Sequence, residues 1–518
     1  MTSPPGPAVI GRSSGAASAA PAPQDTPREF SVGPLWMRVV PSLAMLGILL
    51  WGIGEPSFWR DESATLAAVQ RPFGDLVSML GHVDAVHGGY YLIMWAVARL
   101  AGTSELAMRL PSVIAMIAAS VAVTALGRRL VSPGAGFAAG LIFAVLPFVG
   151  FYGQDARSYA MVTAMAAIVS YLLVRVLDAP ADRRRDWLVA YAAGLTALGI
   201  LNVFALLLIP AHAVTVWLRW RGRDGWPDGK DERPARVLPQ GWLAAVAAAI
   251  LILSPLLVLS WKQRGQISWL KTSTDVGPSS VEHLIGPLPM LIAVVVVLAI
   301  AIRISARAGR DVLRAAWPGK LLALGVPWVA LPAAILLGIS VVDPMYTFRY
   351  ILFCAPAAAL LCGAALAALR RVLGTVALVV IAVFAFHAQV GNRLPDGHGD
   401  NIRQADQIVA VNLRPGDAVV YTNVNAESFG AAYPYGLGRL RDVAIAEPAI
   451  ASGTLAGTNV PQWLLHRRLA HVPRLWVVDI NNRLTPVPAL HGVPLHEVFT
   501  WRTGDISLLL YEPWNFAR

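Results

Sequence analysis

The sequence predicts an α-helical polytopic membrane protein with about eleven transmembrane helices and a small α/β domain outside the membrane at the C-terminal end. Three observations carry this prediction. Hydrophobic residues make up 56% of the 518 and charged residues only 14%, against about a quarter charged in a soluble domain. Apolar runs of about 20 residues, the length that crosses a hydrocarbon core of about 30 Å, recur between residues 36 and 390. From about residue 393 the composition changes to that of a soluble chain.

Residues 1–34 are rich in Ala, Pro, Ser and Gly and lack an apolar core, so they read as a disordered cytoplasmic tail and not as a signal peptide. The first span, 36–54, is then a retained signal anchor of a transmembrane domain covering 35–392. Further spans are expected at 107–127, 134–150, 159–177, 187–201, 203–219, 241–261, 286–302, 321–340, 346–369 and 372–390. The run Gly89–Leu100 is short, aromatic at one end and broken by Arg99, and reads as an amphipathic helix in the membrane interface.

Orientation follows from the basic residues, which cytoplasmic loops collect. With 89–100 in plane, the inside loops hold Arg128-Arg129, Arg183-Arg184-Arg185, Arg219 to Arg236, Arg303 to Lys320 and Arg370-Arg371. The expected location is the plasma membrane, with the N-terminus cytoplasmic and the C-terminal domain, 393–518, extracytoplasmic. Outside lie a long first loop (55–106), a short second loop (151–158), a connection at 262–285 and a short loop at 341–350. Arginine at the ends of apolar runs accounts for the net charge of +11, so no nucleic-acid partner is expected. Cys354 and Cys362 share one apolar segment and form no framework.

In the C-terminal domain, Gly416–Tyr421, Leu475–Ile480 and Ile506–Tyr511 read as strands and Asn401–Leu413 as a helix. It carries no Gly-rich phosphate loop and no metal-ligand spacing, so acceptor recognition or support of the core is expected of it.

The outer loops gather the acids and bases that the spans avoid: Arg60, Asp61, Glu62, His82, Asp84 and His87, then Gln154, Asp155, Arg157 and Tyr159, then Lys262, Arg264, Lys271, Asp343 and Arg349. The adjacent carboxylates Asp61 and Glu62 have two readings. Asp61 caps a helix starting at Glu62, or one of the pair is a base held at the water interface. The two are compatible, because a capping carboxylate is already oriented.

Four ordered motifs carry a resemblance. Trp59-Arg60-Asp61-Glu62, His87-Gly88-Gly89-Tyr90-Tyr91-Leu92, Ser104 to Ser112 (SELAMRLPS) and Tyr152 to Ala160 (YGQDARSYA) are similar to segments of the GT-C integral-membrane glycosyltransferases. The branch resembled is that of protein mannosyltransferases and aminoarabinose transferases, over residues 36–180, with a weaker echo at Phe348–Leu352. The resemblance implies transfer of mannose or another hexose or pentose from a polyprenyl-phosphate-sugar donor. It implies as acceptor an envelope glycan, glycolipid or protein at the outer face of the bilayer. It implies Asp61 as base or acceptor-aligning acid, with Glu62 its neighbour and Asp155 a second carboxylate. Where many relatives have a basic residue followed by Pro-Pro, this chain has His87-Gly88-Gly89, which leaves His87 as a phosphate ligand only when protonated.

Elementary chemistry agrees with that implication. A sugar on a polyprenyl phosphate carries a good leaving group, so the needs are a carboxylate near the acceptor hydroxyl and cations near the departing phosphate. Asp61, Glu62 and Asp155 are the catalytic candidates; His87, Arg157, Tyr159, Arg264, Lys271 and Arg349 are the substrate-binding candidates. The same carboxylates offer oxygen to a divalent cation, but related branches work without one, and no cofactor or metal is expected. A transporter or flippase of a lipid-linked sugar is the alternative; such proteins carry mid-membrane ionisable residues and internal repeats, neither of which is evident.

Overall fold

The computed structural model describes residues 1–3, 34–222, 237–266, 288–480 and 487–514. From Pro34 onward the chain forms one compact unit. Its helices begin with α1 (Trp36–Leu50), which has Pro41 inside it, and the first long loop folds as α2 (Arg60–Val69), α3 (Phe73–His82) and α4 (Gly88–Ala101). Then come α5 (Glu105–Leu130), α6 (Pro133–Val145), α7 (Pro147–Gly153), α8 (Tyr159–Asp178), α9 (Ala181–Leu201), α10 (Leu208–Trp220), α11 (Val237–Lys262) and α12 (Leu288–Arg307). A short α13 (Arg310–Ala316) precedes α14 (Gly319–Ser340), α15 (Ala355–Ala368) and α16 (Arg371–Gly391).

The protein is a multi-pass membrane protein. Among the described residues seven helices are long and apolar enough to cross a membrane, or eight if the bent pair α6 and α7 makes one span. The three other expected positions hold α1, α9 and α12, which are not among those eight, so the number eleven rests on the sequence alone. The bend between α6 and α7 is 65°. It has a covalent cause, since Pro147 supplies no N–H to continue the ladder. The bend aims α7 and the following loop, 154–158, back toward the first long loop.

Small residues bring the central helices together, as expected where lipid removes the hydrophobic drive between helices. A Cβ on Gly363 of α15 would sit 2.5 Å from the Ala139 nitrogen of α6, and one on Gly136 of α6 would meet the Thr124 carbonyl of α5 at 2.5 Å. The first long loop has its own apolar cluster. Phe58, Leu66, Val69, Met79, Tyr90, Tyr91, Met94 and Met108 pack there, which explains why α4 buries one face while Leu92 and Ile93 stay exposed.

The C-terminal region is a five-stranded mixed sheet with helices. After α17 (Ile402–Asn412) come β1 (Ala418–Tyr421), α18 (Phe429–Ala432), β2 (Arg441–Asp442), a small ribbon of β3 (Ile445–Glu447) and β4 (Thr458–Asn459), and α19 (Gln462–Leu469). The sheet is completed by β5 (Leu475–Ile480), β6 (Leu495–Thr503) and β7 (Ile506–Pro513), in the order β2-β1-β5-β7-β6. β1 runs parallel to β2 and β5, while β7 runs antiparallel to β5 and β6. β5 is buried on both faces: Trp476, Val478 and Ile480 meet Ile402, Ala405 and Val409 of α17, and Leu475 and Val477 meet Leu469 and Val472. The expected helix and strands at 401–413, 416–421, 475–480 and 506–511 are present. β6, whose outward residues are mixed in polarity, gave no strand signal.

Charged side chains hold this region against the first long loop. Arg60 donates through Nε and its backbone N–H to Asp400 Oδ2, both at 2.9 Å, and through Nη2 to Oδ1 at 2.8 Å. Arg403 pairs with Glu105 at 2.7 Å and donates to the carbonyls of Gly54, Glu55 and Pro56. Arg393 reaches the carbonyls of Ile48 and Trp51 and lies over the Trp51 ring.

Candidate active site

The segment Trp59–Glu62 opens α2, and each of its four side chains engages a different part of the chain. The helix begins at Arg60, so Asp61 lies in its first turn and is not the cap. The cap is made by Glu62, whose Oε2 accepts the Trp59 backbone N–H at 3.4 Å.

Glu62 is fully buried and bound bidentately by Arg109 of α5, Nε to Oε1 at 2.8 Å and Nη2 to Oε2 at 2.7 Å. Oε1 also accepts the Ala156 N–H at 2.8 Å. Arg109 spends its remaining donors on the carbonyls of Ile53, Pro56 and Ser57. With every lone pair and proton in use, Glu62 is a fastener between α2, α5 and the second loop. It is not free to take a substrate proton, which corrects its place among the catalytic candidates.

Asp61 is different. It is half-buried, and its Oδ2 accepts from Arg349 Nη1 at 2.9 Å. Burial pushes its carboxyl up, but the guanidinium groups of Arg349, Arg157 and Arg60 outweigh burial and hold it below 3.8. Arg349 lies in the 3₁₀ turn Phe348–Cys354 that leads into α15.

Arg157 is nearly buried and donates through Nη1 to Tyr91 Oη at 3.1 Å, with the Asp61 carbonyl at 3.4 Å. Tyr91 in turn donates to Asp84 at 2.6 Å. Asp84 adopts a left-handed backbone with φ of 62°, a conformation Asp tolerates better than most. Gln266 accepts the Asp84 N–H at 3.0 Å and Gln263 the Ala85 N–H at 2.9 Å, which fastens this corner to the end of α11.

His87 is buried, 3.1 Å from Ser158 Oγ through Nδ1. Burial depresses it to about 4 despite the nearby Asp84 carboxylate. It is therefore neutral near neutral pH, which corrects the expectation of a protonated phosphate ligand. Tyr159 opens α8 and shares a narrow crevice with Arg349, Tyr350, Asn202 and Phe353.

Asp155 is fully buried; its Oδ1 accepts Trp59 Nε1 at 3.0 Å, and its Oδ2 has no hydrogen-bond partner among the described residues. Burial, and then the Glu62 charge, push its carboxyl well up, opposite to the direction in which the arginines move Asp61. Beside it is His398, buried against the Phe151 ring, its centroid 4.3 Å away. Glu62, Asp155 and His398 offer ligand atoms within 4.8 Å of one another. The set fits a divalent ion poorly, because Arg109 and two backbone N–H groups already occupy the Glu62 oxygens and bring a positive charge to the same point.

Of the sequence candidates, Asp61, Arg157, Tyr159 and Arg349 converge, with His87 beside them. Arg264 is exposed and folds over the Trp261 ring, apart from this cluster. Lys271 lies outside the described residues. Sequence reading did not single out Arg109, His398, Asp400 or Arg403. For Arg109 a signal existed, since an arginine inside an apolar helix requires a buried partner.

Residues 89–261 match the model of the dolichyl-phosphate-mannose-protein mannosyltransferase family. Among solved structures, ArnT from Cupriavidus metallidurans bound to undecaprenyl phosphate aligns with a TM-score of 0.59 at 14% identity, over 92% of this chain and 98% of its own. The apo state of the same protein aligns with a TM-score of 0.59 at 13% identity, over 91% and 97%. The oligosaccharyltransferase AglB from Archaeoglobus fulgidus, in complex with an inhibitory peptide and a dolichol-phosphate, aligns with a TM-score of 0.50 at 10% identity, over 93% and 74%. No curated protein matches the chain by sequence at comparable stringency. The two findings agree: over residues 89–261 the chain is similar to that mannosyltransferase family, and along nearly its whole length it shares the fold of ArnT.

Proposed function

We propose that the protein transfers a sugar, mannose or another hexose or pentose, from a polyprenyl-phosphate-sugar donor to a cell-envelope acceptor at the outer face of the plasma membrane. The observation that carries this reading is the ionised Asp61 carboxylate set against Arg349 and Arg157 beside a crevice lined by Tyr159 and Tyr350. ArnT has been seen with undecaprenyl phosphate and AglB with a dolichol-phosphate, which supports a lipid phosphate as the leaving group here.

In the reaction the acceptor oxygen forms a bond to the anomeric carbon as the bond from that carbon to the phosphate oxygen breaks. The acceptor hydroxyl gives its proton to Asp61, and the lipid phosphate leaves with the bonding electrons. Arg349 and Arg157 face the growing phosphate charge, Arg349 being able to exchange Asp61 for a phosphate oxygen. The lowered pKa of Asp61 keeps it a carboxylate until it takes that proton. A weak base suits a proton that becomes acidic only as the glycosidic bond forms. Asp155, accepting from the Trp59 indole, positions the start of α2. The positive charge that the departing phosphate requires comes from arginine, and no cofactor is assigned. The alternation of basic loops supports a cytoplasmic N-terminus and an outward C-terminal region.

The test is transfer from a panel of polyprenyl-phosphate sugars by purified protein, read as release of the lipid phosphate. Asp61→Asn should abolish release while insertion and thermal unfolding are retained; undiminished release removes Asp61 from the mechanism. Movement of labelled donor across vesicles by that same variant, without transfer by the wild type, would favour the flippase.

A further inference from the structure

A cleft of about 400 Å³ separates the far end of α2 from the C-terminal sheet region. It lies within the size range of small-ligand sites, about 300–1,000 Å³. One wall carries Gln70 and Arg71; the opposite wall carries Tyr421, Glu427 and Asp442. Arg71 is 3% exposed, and its Nε and Nη2 donate to the carbonyls of Ala67, Thr454 and Leu455, while Nη1 has no partner among the described residues. Across the cleft, the Glu427 carboxyl group has a hydrogen bond with Asn459, while its Oε2 is buried with no partner among the described residues. Asp442 accepts the Ala444 N–H at 2.8 Å. Burial and the neighbouring Asp442 charge push Glu427 up to about 7.

The charges select the ligand. An anion would meet Glu427 and Asp442, and a cation would meet Arg71 in the same space, so neither satisfies both walls. A hydroxyl does, because it donates to a carboxylate and accepts from a guanidinium at once. The remaining walls, Leu437, Leu440, Ile450 and Leu455, are apolar surfaces of the kind that the C–H face of a sugar ring covers. Gln70 lies nine positions along the chain from Asp61, which at about 1.5 Å of helical rise per residue is about 14 Å. From these observations we infer that the cleft is a subsite for the neutral glycan portion of the acceptor, which it holds while the acceptor's terminal hydroxyl reaches Asp61. This inference rests on the transferase reading above and names its acceptor class.

The experiment measures equilibrium binding of manno- and arabino-oligosaccharides of increasing length to the purified full-length protein, with uronic-acid oligosaccharides and a Ser/Thr-rich peptide as controls. Hydrolysis of the donor lipid, with water as acceptor, is followed in parallel. The neutral oligosaccharides should bind, and Ile450→Trp, which fills the rim, and Glu427→Leu, which removes an acceptor, should each weaken binding about tenfold. Donor hydrolysis should be unchanged in both variants. Absence of neutral-oligosaccharide binding, equal binding by both variants, or preference for the acidic sugar or the peptide overturns the subsite. Oligosaccharide binding without donor hydrolysis by the wild type upholds the subsite and sinks the transferase reading alone.

Discussion

Arg349 holds Asp61 at 2.9 Å across 288 positions of sequence, which joins the first long loop to the turn before one of the last spans. The pair sets the ionisation of Asp61, and most of what can be tested about the site follows from it.

On the proposed mechanism, Asp61→Asn removes the proton acceptor while keeping its size. Transfer should fall about a hundredfold or more, the usual worth of a positioned general base, with little change in unfolding temperature. Steady-state kinetics and a thermal melt on the same preparation check both halves.

The pH profile gives a separate test. Asp61 is held below 3.8 by its arginines, so the activity that depends on its carboxylate is present above that value and is lost as pH falls through the depressed pKa. In Arg349→Met the largest of those cations is gone, and the acid limb of kcat/KM should move up. The readout is the limb's position, not its height, because Arg349 also faces the donor. A limb that does not move would show that Asp61 is not the group being titrated.

Glu62 and Arg109 should behave as structural partners. Either Glu62→Gln or Arg109→Met leaves a buried group without its counterpart, at a cost of about 3–5 kcal/mol. The double variant should be less damaged than the sum of the singles. A double-variant cycle on unfolding measures this, and additive losses would contradict the pairing.

Asp155 is pushed up by burial and by Glu62, so its contribution to stability is present at low pH and lost as pH rises through its raised pKa. Asp155→Asn, which imitates the neutral acid and still accepts from Trp59, should retain most of both activity and stability. Asp155→Ala, which leaves the Trp59 indole unpaired, should cost about 1–3 kcal/mol. If Asn proves as harmful as Ala, Asp155 works as an anion.

Asp400 takes three hydrogen bonds from Arg60. Asp400→Asn should loosen the C-terminal region by about 1.5–3 kcal/mol, the value of hydrogen bonds to a charged group. Faster protease cleavage near residues 393–400 would reveal it.

How much of this was legible in the sequence depends on distance along the chain. Apolar length and arginine placement located the helices, because a membrane span is a local property of about 20 residues. Asp61, Arg157, Tyr159 and Arg349 stood out because each is a polar residue at the edge of an apolar run. What sequence did not reveal was the division of labour between Asp61 and Glu62. That depends on Arg109, 47 positions away, taking one carboxylate and Arg349 taking the other. The docking of the C-terminal region was hidden for the same reason, since Arg60 and Asp400 are 340 positions apart and neither has a local pattern. Burial also reversed the reading of His87, whose titration belongs to its pocket and not to its residue type.

Trp59, Arg60, Asp61 and Glu62 bind, in turn, Asp155, Asp400, Arg349 and Arg109. Each successive helical position turns the side chain by about 100°, so one stretch of four residues addresses four directions at once. Inserting or deleting a single residue there would misdirect all four together, whereas replacing one residue disturbs one. The length of this turn should therefore be the least negotiable dimension of the molecule, fixed even where the chemistry around it is free to diversify.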